Sequence, residues 1–253
     1  MRLDERQQHI LDLLGAVGRI EADLVAAQLR VSRETIRRDL MQLEKDGRVR
    51  RVHGGAVRVE PLGEKPFRTR KRVQIAAKRR IGATAATLLR AEQSCFIDAG
   101  TTTAAFAGAL AGLDGLLVVT NSIEVAVNLR AVSANADVIL LGGRMAIEVP
   151  ATHGELTISE IGRFRTDFAV LSPVGIDALG GVTYHEFGEA EIARMMMKNA
   201  AATMLLADHT KLGRISRATV CGCGELDILV TDATADKTEA FRAAGVKRIV
   251  RAH

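Results

Sequence analysis

Five short polar runs follow apolar segments of this chain: D-A-G-T-T-T at 98–103, T-N-S at 120–122, L-G-G-R at 141–144, G-I-D at 175–177 and D-H-T-K at 208–211. Asp98, Gly100 and the hydroxyls of Thr101, Thr102 and Thr103 lead into a helical stretch, where free backbone N–H groups and the helix dipole favour an anion. Thr120, Asn121 and Ser122 add hydroxyl and amide groups. Gly142 and Gly143 let the backbone come close to a ligand beside Arg144. Asp177 adds a carboxylate, and Lys211 a cation able to neutralise a phosphate. Read together, the runs describe cations and amides for a phosphate, with carboxylates and amides for hydroxyls. Each run alone is ordinary turn chemistry, and G-T-T-T lacks the spacing of a nucleotide P-loop. Their recurrence after several apolar segments carries the signal.

A different chemistry lies nearer the N-terminus, in V-S-R-E-T-I-R-R-D-L at 31–40 and R-V-R-R-V-H-G-G-A-V at 48–57. Ser32 stands where a helix N-cap is wanted, and Glu34 falls in the first turn, where the dipole favours negative charge. Ile36, Leu40 and Leu43 make one apolar stripe, which leaves Arg33, Thr35, Arg37 and Arg38 to reach outward. Arginine suits guanine edges and phosphates, which it grips with two parallel hydrogen bonds. Beyond Gly47, which reads as a helix stop, Val49, Val52 and Val57 alternate with Arg48, Arg50, Arg51 and Arg58. That alternation predicts a two-stranded wing with His53, Gly54 and Gly55 at its tip.

The elements that must position these groups can be read from periodicity. Ile10, Leu13, Leu14 and Val17 predict a first helix, and Val25 with Leu29 a shorter second one. The order helix, helix, turn, helix is that of a unit whose last helix enters the major groove of DNA. Pro61, Gly63 and Pro66 interrupt regular structure, and R-T-R-K-R at 68–72 is a charge cluster suited to a linker. Past an Ala-rich helix at 75–89, apolar runs at 95–98, 116–120, 137–141, 168–171, 203–207, 228–231 and 248–251 alternate with helical stretches. Such alternation implies an α/β domain with a mainly parallel sheet, which binds ligands at its C-terminal strand ends. The expected division is a winged helix-turn-helix domain over 1–58, a linker over 59–74 and a larger sensor domain over 75–253.

Charge placement agrees with that division. Residues 1–80 hold 20 Lys and Arg against 11 Asp and Glu, a net +9, while 81–253 carry a net −4. Within the basic part, 60–80 contribute +6 and 1–59 only +3, so part of the charge serves the connector. No run approaches the ~18 apolar residues of a membrane span, and the charged start is unlike a signal sequence, so a cytoplasmic protein is expected. Cys95, Cys221 and Cys223 lack a second pair or a histidine cluster, which argues for incidental roles and against a metal site or cofactor. His185, Glu186 and Glu189 read as a polar surface stretch.

The run from Arg6 to Ala56, above all S-R-E-T-I-R-R-D-L and R-V-H-G-G-A, resembles the winged helix-turn-helix of the DeoR family of bacterial transcriptional regulators. One departure is Arg30, where that family usually has a turn glycine. The second part is similar to the family's effector domain, which carries D-x-G-T-T, V-T-N, L-x-G-G, G-I-D and D-H-[ST]-K in this order. The spacing of Y-H-E and D-H-T-K further resembles the glycerol 3-phosphate regulators within the family. The resemblance implies a fold like ribose 5-phosphate isomerase and the coenzyme A transferases. It also implies a repressor of a carbohydrate or polyol catabolic operon, controlled by a phosphorylated sugar or polyol such as glycerol 3-phosphate. DNA contacts are then expected from Ser32, Arg33, Thr35, Arg37, Arg38, Arg50, Arg51, His53 and Gly54. The effector pocket maps to Asp98, Gly100 to Thr103, Thr120 to Ser122, Gly142 to Arg144, Asp177 and Lys211. A single reading head buries too little surface to select a site, so a homo-oligomer, dimer or tetramer, is expected on double-stranded DNA. The competing reading is a sugar-phosphate isomerase-like enzyme, with Asp98, Asp177 or Asp208 as base beside Lys211.

Overall fold

In the computed structural model, which describes residues 3–46, 48–52, 54–58, 64–133 and 135–253 apart from the side chains of residues 4, 15, 16 and 58, the Ser32 hydroxyl accepts the Thr35 amide at 3.1 Å. That cap starts the third helix of the first of two units. The chain divides after residue 63, and the short stretch 213–215 groups with the first unit.

The first unit runs α1 (Leu3–Val17), β1 (Arg19–Glu21), α2 (Ala22–Leu29), α3 (Arg33–Lys45), β2 (Val49–Val52) and β3 (Gly55–Arg58). Ile36, Leu40 and Leu43 of α3 are buried against Ile10, Leu14, Val25 and Val49, each worth about 2 kcal/mol of apolar burial. The expected two-stranded wing has a third strand, because β1 pairs antiparallel with β3 and the order is β1-β3-β2. Gly55 makes that pairing possible, since a Cβ there would lie 1.9 Å from the Ile20 carbonyl oxygen. Gly47 and His53 lie outside the described residues.

The second unit begins with α4 (Phe67–Arg72) and α5 (Ile75–Ala86), then alternates: β4 (Ser94–Ile97), α6 (Thr101–Ala107), β5 (Leu117–Thr120), α7 (Ile123–Val132), β6 (Asp137–Leu140). A hairpin of β7 (Arg144–Met145) and β8 (Thr152–His153) precedes α8 (Glu155–Ile161) and β9 (Thr166–Leu171). There follow β10 (Gly175–Asp177), β11 (Gly181–Tyr184), α9 (Phe187–Lys198), β12 (Ala200–Leu206), β13 (Ala218–Cys221), β14 (Ile228–Thr231), α10 (Ala235–Ala243) and β15 (Arg248–Arg251). The seven apolar runs read from the sequence supply the seven parallel strands, ordered β15-β14-β12-β9-β4-β5-β6.

The inner strands are mainly apolar because both of their faces are covered, while the edge strands β6 and β15 keep exposed ends. Phe96, Val119, Ala169, Leu171 and Leu205 face a core shared with Ile161, Ala193, Met196 and Phe241. Ile97, Val118, Val170 and Met204 face Ile81, Ala85, Phe106 and Leu129 on the other side. The sequence did not reveal the antiparallel sheet β10-β11-β13, which packs into the first of these cores.

The linker expected over 59–74 needs correction. Residues 59–63 lie outside the described residues, but 64–74 belong to the second unit. Phe67, only 5 % exposed, packs with Val149 and Ala151 against Ala99, so the basic cluster at 68–72 rides on an anchored helix.

Candidate functional site

In the first unit, α3 presents Arg33, Arg37 and Arg38 with side chains 67, 59 and 77 % exposed. Each is held by an acid: Arg33 by Asp23 at 2.8 Å, Arg37 by Glu34 at 2.8 and 3.2 Å, and Arg38 by Glu34 at 3.3 Å. The Ser32 and Thr35 hydroxyls lie 2.8 Å apart at the same helix start. On the wing, Arg50 is exposed, and both the backbone amide and Nε of Arg51 donate to Glu44, at 2.8 and 2.9 Å. Gly54 turns the tip with φ +81°. Asp39, inside the predicted recognition helix, is instead buried and takes two hydrogen bonds from Arg6, at 2.5 and 3.0 Å.

In the second unit the chain passes from β4 outward through β5 and β6, then returns to build β9, β12, β14 and β15 on the other side of β4. The direction reverses between β4 and β9, and an open parallel sheet has its ligand crevice at such a point. Asp98 and Ser172 follow those two strands. Asp98 Oδ2 accepts the Ser172 amide at 2.9 Å and the Tyr184 hydroxyl at 2.5 Å, and Oδ1 has no partner among the described residues although Asp98 is 3 % exposed. Burial pushes its carboxyl up to about 6 against those hydrogen bonds. Lys211 donates to the Ser172 hydroxyl at 3.1 Å and the Pro173 carbonyl at 2.5 Å, and desolvation lowers its pKa.

Two further orphans sit at neighbouring strand ends. The Thr102 hydroxyl and Asn121 Oδ1 are buried without a partner among the described residues, although Asn121 Nδ2 donates to the Thr152 carbonyl at 2.9 Å. A buried polar atom left unpaired costs roughly 1–3 kcal/mol, so such atoms mark places where a hydrogen-bonding ligand would be welcome. Glu189, which the sequence reading placed on a polar surface, is half-buried near Glu64, Arg70 and Asp98, and desolvation pushes its carboxyl up to about 8. The neighbouring Glu186 is exposed as expected.

Other predicted pocket residues serve the backbone. Thr103 closes the start of α6 by accepting the Gly100 amide at 2.9 Å, and Gly100 has no room for a side chain against Ser172. Thr101 is buried in the first turn of α6. Thr120 donates to the Ile97 carbonyl at 2.6 Å, and Ser122 caps α7. Gly142 and Gly143 make their close approach to protein, and no ligand is needed to explain them. The Gly142 amide donates to Glu160 at 2.6 Å, and a Cβ on Gly143, whose φ is +145°, would lie 2.2 Å from the Thr157 hydroxyl. Arg144 is exposed on the β7–β8 hairpin. Asp177 Oδ1 accepts the amides of Leu179 and Gly180 at 3.0 and 2.8 Å, fixing the β10–β11 turn.

The sequence reading does not single out Ser172 or Glu64, and it takes Tyr184 only within the Y-H-E spacing, Glu189 as surface and Arg70 as part of a linker. Tyr184 had a signal, being the one tyrosine of the chain. The others join the site only through long-range topology. Among the described residues no cluster of His, Cys, Asp and Glu could hold a metal, and no helix is long and apolar enough to cross a membrane.

Family models match both units: a DeoR-like helix-turn-helix domain at residues 6–61 and a DeoR C-terminal sensor domain at 73–233. The glycerol-3-phosphate regulon repressor of Escherichia coli K12 is 33 % identical over 233 residues, 92 % of each chain. The transcriptional repressor GlcR of Bacillus subtilis 168 is 33 % identical over 234 residues, 92 % of this chain and 89 % of that one. Among solved structures, ribose 5-phosphate isomerase A of Methanocaldococcus jannaschii aligns with a TM-score of 0.40 at 14 % identity, covering 55 % of each chain. With a reading head and a sensor both matched and relatives aligned along nearly its whole length, this chain belongs to the DeoR family of DNA-binding transcriptional regulators.

Proposed function

We propose that this protein is a cytoplasmic repressor, acting as a homo-oligomer, that releases its operator when a phosphorylated sugar or polyol such as glycerol 3-phosphate binds at the β4–β9 crevice. The observation that carries this reading is the set of buried atoms without a partner among the described residues, Asp98 Oδ1, Thr102 Oγ1 and Asn121 Oδ1, together with the half-buried Lys211. Two of the three are acceptors and want hydroxyl donors, which a polyol supplies. Lys211 wants an anion, which its phosphate supplies. The glycerol-3-phosphate regulon repressor of E. coli lends support by its name and its alignment. DNA contact falls to the cap residue Ser32 and to Arg33, Thr35, Arg37 and Arg38 of α3, with Arg50, Arg51 and Gly54 of the wing.

Ties on two of the three candidate bases, with Asp98 alone left over, weigh against catalysis. Of the candidate bases, Asp177 is tied to its turn and Asp208 Oδ1 accepts the Thr210 amide and hydroxyl. The test is operator binding, by anisotropy, with and without glycerol 3-phosphate and a panel of sugar phosphates. A useful switch changes operator affinity about 5- to 150-fold. Lys211→Met is expected to keep operator binding and lose that response. A wild-type protein indifferent to every phosphorylated probe would defeat the reading.

A further inference from the structure

Residues 64–73 lie across the crevice as a strap. Phe67 anchors it on Val149, Ala151 and Ala99, and Lys71 pairs with Glu124 in the first turn of α7. Lys78 of α5 holds its far end by donating to the carbonyls of Arg70 and Val73 at 2.6 and 2.8 Å. The strap carries Arg70 into electrostatic reach of Lys211, Lys78 and Glu189. Arg70 donates Nε to the Lys65 carbonyl at 2.9 Å, lies 5.5 Å over the Phe67 ring, and binds the Glu64 carboxylate at 2.6 Å. Glu64 and Arg70 side chains are 18 and 19 % exposed, and Glu64 also faces Lys211 and His185.

Arg70 and Lys211 are thus held near one another in a partly buried site, and the chain's own Glu64 neutralises Arg70 directly and, with Asp208 and Asp98, adds to the negative field on Lys211. Resting on the effector reading above, we propose that Glu64 is a built-in stand-in for the effector's phosphate: a phosphomonoester takes Arg70 from it while also meeting Lys211, and the departure of Glu64 frees the segment that leads from the reading head into the sensor. Arg70, assigned by sequence to a linker, is then an effector-binding residue. The occupant is suited to leave, because burial raises the Glu64 carboxyl above the usual glutamate range even beside Arg70. A phosphate offers more charge and a fork of oxygens that matches the guanidinium.

The test uses the full chain and glycerol 3-phosphate, glucose 6-phosphate and inorganic phosphate as probes, with glycerol and glucose as uncharged controls. Calorimetric titration of wild type, Glu64→Gln and Arg70→Gln is expected to show a phosphorylated probe binding wild type, binding Glu64→Gln about 10-fold tighter and Arg70→Gln about 10-fold weaker. Without any probe, Glu64→Gln should bind operator as weakly as probe-saturated wild type. Should Glu64→Gln melt early, Glu64→Asp replaces it, with a smaller tightening expected. If wild type binds a phosphorylated probe and removing the glutamate tightens nothing, the stand-in is overturned and the effector reading survives. If no phosphorylated probe binds either chain, both fall together, since an emptied cation pair should take phosphate. Normal operator release by Glu64→Gln on adding probe overturns the coupling.

Discussion

Tyr184 reaches across 86 residues of sequence to donate a 2.5 Å hydrogen bond to Asp98, and so fixes one carboxylate oxygen while the other is buried with no partner among the described residues. A raised pKa in the folded state means that Asp98 contributes stability below about pH 4, and that this contribution is lost as pH rises through about 6. Asp98→Asn keeps an acceptor for Tyr184 and Ser172 and removes the titration. Between pH 4 and 7 the wild type should lose roughly 1–3 kcal/mol relative to Asp98→Asn, measured by denaturant unfolding at each pH. Parallel pH profiles for the two proteins would show that Asp98 does not titrate in this window.

The pair Arg6 and Asp39 joins α1 to α3 inside the reading head, with side chains 14 and 4 % exposed. Removing one member leaves a buried charge without its counterion, which costs about 3–5 kcal/mol. Arg6→Ala should therefore lower the melting temperature of the reading head sharply, and the double variant Arg6→Met, Asp39→Leu should recover much of the deficit. An Arg6→Ala protein that melts with the wild type would mean the pair is solvated.

Arg30 ends α2 in the left-handed region, with φ 53° and ψ 44°. A side chain there costs about 1 kcal/mol that glycine does not incur, and the capping bonds from the Arg30 and Val31 amides come from the backbone. Arg30→Gly should stabilise the reading head by about 1 kcal/mol in chemical denaturation. A fall in stability would show that the exposed arginine makes up the strain through interactions of its own.

How much is legible in the sequence follows from range. The α3 stripe, its Ser32 cap and all seven parallel strands are encoded within a few residues, by period and by turn chemistry, and can be read directly. Asp39 escapes such a reading because one buried acid in an arginine-rich exposed helix is explained only by Arg6, at a separation of 33 residues. Gly142 and Gly143 announce a close approach correctly, but the sequence does not say whether the neighbour is ligand or protein, and α8 supplies it. The strap is hidden because Pro66 and a run of charges look like a linker until Phe67 is seen to have a pocket. Composition marks a segment as polar, and only topology decides what it covers.

On the DNA side, Glu34 holds Arg37 and Arg38 together in the free protein, so both arginines are pre-positioned and partly neutralised before DNA arrives. A phosphate must compete with Glu34 for them. Because each neutralised phosphate releases counterions, the slope of log affinity against log salt counts the phosphates that the protein neutralises. Arg37→Ala and Arg38→Ala should each weaken operator binding and flatten that slope by about one unit for each phosphate that is no longer neutralised. Glu34→Gln should act in the opposite sense at low salt, by freeing two cations. If one arginine instead reads a base, its removal will leave the slope nearly unchanged and relax sequence preference at one position. Anisotropy titrations at several salt concentrations separate these outcomes. Unchanged slopes together with unchanged sequence preference in both alanine variants would take α3 out of the groove.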